Sequence, residues 1–73
     1  MEGIQAGMKR GIIEALEKRY EATIAEMHAE TNILLNNSVG IGEHSKIIDE
    51  VDQKITKIAE AEEKLQILVS FKF

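Results

Sequence analysis

Two histidines stand among thirteen carboxylates, and they are the natural place to look for acid–base or metal chemistry. Glu43 and His44 are adjacent, and a histidine beside a carboxylate can hold and pass a proton near neutral pH. Glu26, His28 and Glu30 suggest a ligand cluster by type alone. At about 100° per residue, however, His28 does not share a helix face with both glutamates. A di-metal site inside a bundle needs Glu-x-x-His on facing helices, and that spacing does not occur. There is no cysteine, so thiolate ligands and disulfides are excluded, and two histidines are too few for a nitrogen-only zinc site. Gly40-x-Gly42 lacks the third glycine, the preceding strand and the following Lys–Ser/Thr pair of a phosphate cradle. Asn36-Asn37-Ser38 matches a glycosylation acceptor, which has no use without secretion. No Ser–His–Asp or Cys–His set occurs at a supportive spacing. The expectation is therefore no catalytic residue, no metal ligand, no cofactor and no enzyme activity.

The elements that would carry any site are helices. There is no proline, and the residues between the two glycine clusters are rich in Ala, Leu, Glu and Lys, which lose little freedom in a helix. In the first half, Ile13, Leu16, Tyr20, Ile24, Met27, Thr31 and Leu34 recur at steps of three and four. In the second half, Ile48, Val51, Ile55, Ile58, Glu62, Leu65 and Val69 form a heptad series with one polar member. The stretch "NNSVGIGEHS", residues 36–45, separates them and is read as a bend. Asn36, Asn37 and Ser38 favour turns, and Gly40 and Gly42 loosen the backbone around Ile41. Val39 and Ile41 would tuck over the end of the helix pair. Ser45 or His44 would cap the second helix, with Asp49 and Glu50 near its positive end. The expectation is one all-α domain over 1–73, an antiparallel, coiled-coil-like two-helix hairpin. Its helices run over about 9–35 and 45–70, with a loop over 36–44.

Folding the chain at that bend places Leu34 against Ile48, Thr31 against Val51, Met27 against Ile55 and Ile24 against Ile58. Tyr20 then faces Glu62, either hydrogen-bonded to it or with the carboxylate turned to water, and Ile13 faces Val69. Gly3, Gly7 and Gly11 with Ala15 make a ridge of small residues at four-residue spacing. The ridge either packs closely on a partner or frays before Lys9, since each glycine costs a helix about 1 kcal/mol relative to alanine. In the tail "ILVSFKF", Val69, Phe71 and Phe73 alternate as in a short strand; alternatively the helix continues with Leu68 and Phe71 on one side. The tail reads as an anchor for a neighbouring subunit, the alternative being unstructured peptide.

Residues 36–65, "NNSVGIGEHSKIIDEVDQKITKIAEAEEKL", resemble a segment of small uncharacterised helical-hairpin proteins of large tailed marine bacteriophages, in which a similar "VGIGEH" precedes an acidic, heptad-patterned helix. Ser45 stands where those proteins often carry a proline. The resemblance implies a helical hairpin in a phage or host-cytoplasm setting, and it brings no activity.

Seventy-three residues bury too little surface to be self-sufficient without a staple. With disulfides and thiolate metal sites excluded and too few histidines for a nitrogen-only zinc site, a partner is the expected staple, and the simplest is a second copy. A second apolar stripe supports this: Ile12, Ala15, Ala22, Ala29 and Ile33 on the first helix, and Ile47, Ala61 and Leu68 on the second, with Phe71 beyond. These nine residues are the expected oligomer interface, and a four-helix bundle made by two hairpins is the simplest assembly. The net charge of −4 disfavours nucleic-acid binding. No run approaches the roughly 18 apolar residues of a membrane span, and "MEGIQAGMKRG" lacks the order of a signal peptide, so a cytoplasmic protein is expected. The leading function is a non-enzymatic oligomeric interaction protein, a phage accessory or assembly factor. The alternative is an acidic regulator that binds a host protein.

Overall fold

A computed structural model of the chain describes residues 2–37 and 44–72, with side chains from 7 to 36 and from 46 to 72. Two helices pack antiparallel: α1, Glu2–Asn37, and α2, His44–Val69. At 1.5 Å per residue they are about 54 and 39 Å long, and the hairpin measures 62 × 15 × 11 Å. The expectations placed on Gly40, Gly42, Val39, Ile41, the Glu43–His44 pair and Phe73, and on the side chains of His44 and Ser45 as caps, fall outside what is described. Asp49 and Glu50 lie past the first turn of α2, which carries no acidic residue, so they are too far along to act strongly on its dipole.

α1 begins at Glu2, not near residue 9, and continues through Asn36 and Asn37. Helix extension adds a hydrogen bond for each residue once a nucleus exists, so three spaced glycines do not halt it. A Cβ placed on Gly7 or Gly11 would meet nothing within 4 Å, so within one chain these glycines serve no close packing.

The seam of α1 follows the expected period. Ile13, Leu16, Tyr20, Ile24, Met27, Thr31 and Leu34 are all half-buried or buried. Thr31 fits there because its hydroxyl donates to the Met27 carbonyl at 2.7 Å, which satisfies it on its own helix.

On α2 the structure corrects the expectation. The seam runs through Ile47, Val51, Lys54, Ile58, Ala61, Leu65 and Leu68. Ile48, Ile55 and Val69, expected inside, are 67%, 52% and 51% exposed, and Glu62 is also exposed. The helix is rotated by about half a residue, some 50°: four seam positions move back by one while Val51, Ile58 and Leu65 stay, and Tyr20 lies by Ala61 and Lys64, not Glu62. The two frames differ in the polar residue each brings to the seam. The expected frame brings in Glu62 with only a tyrosine hydroxyl for company. The observed frame brings in Lys54, whose ammonium meets the Glu30 carboxylate at 2.8 Å. A charge-assisted pair satisfies a half-buried charge better than a neutral hydroxyl does. The observed frame also buries Ala61 and Leu68 to 4% and 7% exposure.

The C-terminal tail continues the helical course. The N–H groups of Ser70, Phe71 and Lys72 donate to the carbonyls of Ile67, Leu68 and Val69 at 3.0, 3.0 and 3.2 Å. The i→i+3 spacing tightens the last turn and excludes the strand alternative for residues 70–72.

Candidate interaction surface

The two flanks of the hairpin follow from the seam. Residues one position before a seam residue lie on one flank, and residues one position after lie on the other. Ile12, Arg19, Glu26 and Ile33 precede Ile13, Tyr20, Met27 and Leu34, and Lys64 precedes Leu65, so all belong to the first flank. Leu35 follows Leu34, while Ile48 and Ile55 follow Ile47 and Lys54, which puts them on the second.

At the open end, the first flank holds a groove of about 610 Å³. Met8, Ile12 and Leu16 form one wall, and Ile67, Leu68 and Phe71 form the other. Lys9 and Lys64 stand on its rim. The Lys64 ammonium lies 5.6 Å from the centre of the Tyr20 ring, within range of a cation–π contact. Below the groove, Lys72 and Glu17 pair at 2.6 Å and tie the last residues of the tail to α1. Both side chains are partly exposed, so the pair locates the tail more than it stabilises the fold.

The second flank carries a smaller apolar depression near the bend, about 300 Å³, lined by Leu35, Ile47, Ile48, Val51 and Ile55. Towards the bend on the first flank, Glu30 and Glu50 lie around Lys54 and Ile33. The Glu30 hydrogen bond is the largest cause raising the Lys54 pKa above its ordinary 10.5, with the charges of Glu30, Glu50 and Glu26 acting in the same direction against desolvation.

Of the nine interface residues read from sequence, the structure divides the set. Ile12 and Ile33 are each 60% exposed and Phe71 59%, and Ala15, Ala22 and Ala29 are also on the surface. Ala61 and Leu68 are enclosed against α1 of the same chain, and Ile47 is half-buried in that seam, so these three belong to the hairpin's own core. The rotation of α2 accounts for all three. It also brings out residues that sequence reasoning placed inside or did not single out: Ile48, Ile55, Ile67 and Val69. The signal for Met8 was present, since it continues the stripe of Ile12 and Ala15 by one helical step.

Among the described residues, no three His, Cys, Asp or Glu side chains come together as a metal site. Glu30 of the Glu26–His28–Glu30 trio is engaged by Lys54. No helix among the described residues is long and apolar enough to cross a membrane. No known protein family, curated protein or solved structure matches the chain.

Proposed function

We propose that this chain is a non-enzymatic interaction module that works as an oligomer of helical hairpins. One observation carries the reading. Among the described residues, only Met27, Ala61 and Leu68 are buried apolar side chains, while nine large hydrophobic side chains are more than half exposed. Two stripes of apolar surface on nearly opposite sides of α1 cannot both be covered by one α2. Each large side chain left in water forgoes about 1.5–3 kcal/mol of burial, so covering even a few is a strong drive to associate. The resemblance of residues 36–65 to phage proteins supports a phage accessory or assembly factor as the setting.

Light scattering coupled to size exclusion tests the reading. The expected result is a mass at an integral multiple, two or more, of the 8.2 kDa chain. A well-folded species of single-chain mass at about 100 µM, far above the micromolar affinities of weak specific complexes, would remove its basis.

A further inference from the structure

The geometry points to a second copy of this chain lying antiparallel along the first flank, α1 against α1, with a two-fold axis beside Ala22. This inference rests on the oligomeric reading above and specifies its face and direction.

The flank of α1 reads Ile12, Arg19, Glu26, Ile33, at steps of seven: apolar, basic, acidic, apolar. Turning the helix end for end about a point between residues 22 and 23 exchanges Ile12 with Ile33 and Arg19 with Glu26. An antiparallel copy therefore sets Arg19 of each protomer near Glu26 of the other, twice, with apolar residues at both ends. A parallel copy sets Arg19 against Arg19 and Glu26 against Glu26, and like charges across an interface oppose association. Within one helix, Arg19 and Glu26 are about 10 Å apart along the axis, too far for a direct ion pair. Their complementarity is available to a neighbour. Isologous pairing of this kind closes on itself, giving a finite dimer and not a filament.

Two further features agree with that direction. The charge of the hairpin is polar along its length: residues 1–20 hold four basic and three acidic side chains, a sum of +1, while residues 21–50 hold one and six, a sum of −5. Antiparallel alignment brings the Lys9 and Lys64 rim of the open-end groove beside the partner's acidic half, where Glu26, Glu30 and Glu50 lie. The same alignment carries Met8 and the groove wall at Ile12 alongside the Ile33 end of the second copy's α1. Exposed alanines at 15, 22 and 29 leave room for the two α1 helices to approach.

The test is a charge exchange read by sedimentation equilibrium, with circular dichroism to verify that each variant stays helical. Arg19→Glu and Glu26→Arg are surface changes, and each alone should weaken dimerisation about tenfold or more. The double variant Arg19→Glu/Glu26→Arg should return to the dissociation constant of the unaltered chain. An equimolar mixture of the two single variants should form a mixed dimer in preference to either homodimer. If the unaltered chain self-associates but the single variants match it, or the double variant is no better than the singles, this pairing is overturned and the oligomeric reading stands. If the unaltered chain is a monomer throughout, both fall.

Discussion

Lys54 shows how a helix seam can hold a charged residue. It occupies a position that a heptad reading gives to an apolar side chain, and it is tolerated because its ammonium donates a hydrogen bond to the Glu30 carboxylate at 2.8 Å. The pair raises the Lys54 pKa above 10.5. A group whose folded-state pKa is raised stabilises the fold in full below its unfolded value and loses that contribution as pH rises through the folded one. Stability measured by chemical denaturation should therefore decline above pH 10.5 more steeply in the unaltered chain than in Lys54→Met. Equal slopes would show that the pair is not formed in solution. Gly7 and Gly11 make a second prediction at this scale. Both sit in a helix with open space where a Cβ would go. Gly7→Ala and Gly11→Ala should each stabilise the protein by up to about 1 kcal/mol, seen as a higher melting temperature. A fall instead would mean that another chain's backbone lies against those positions.

For α2 as an element, the question was which of two adjacent stripes faces α1. Apolar residues occur side by side at 47 and 48 and at 68 and 69, so two heptad frames fit the spacing equally well. Periodicity cannot separate frames that differ by one residue; only the partner surface can, through the Glu30 carboxylate and the Tyr20 ring with which Ala61 shares a shallow site. Two truncations distinguish the frames. Leu68→Ala, inside the seam, should cost about 2–5 kcal/mol. Ile55→Ala, outside it, should cost less than about 1 kcal/mol. The reverse order in urea melts would restore the frame that buries Ile55. α1 has similar neighbours at Ile12 and Ile13 and at Ile33 and Leu34, but there the burial follows the expected seam from Ile13 to Leu34.

At the scale of the whole molecule, the balance between enclosed and exposed apolar surface governs behaviour. A rod 62 Å long and 15 × 11 Å in section has little interior. Anything that binds the folded chain alone stabilises it by mass action, and a second copy is such a ligand. The melting temperature should rise with protein concentration across the micromolar range. Ile12→Asp, on the exposed flank, should flatten that dependence while leaving helicity at high concentration largely intact. A melting temperature independent of concentration in the unaltered chain would show that the hairpin is stable by itself.

The chain's own pattern already settled the all-α class, the two-helix hairpin and the inner face of α1, because helix periodicity acts over a few neighbouring residues. It also marked Ile12, Ala15, Ala22, Ala29 and Ile33 as an outer stripe, since those positions depend only on α1's own geometry. What the tertiary structure alone decided was the rotation of α2. With it went the fate of Ile47, Ala61 and Leu68, and the emergence of Ile48, Ile55 and Val69 on the surface. Those choices turn on which charged side chain finds a partner across the seam, and that is a property of two helices together and of neither one separately.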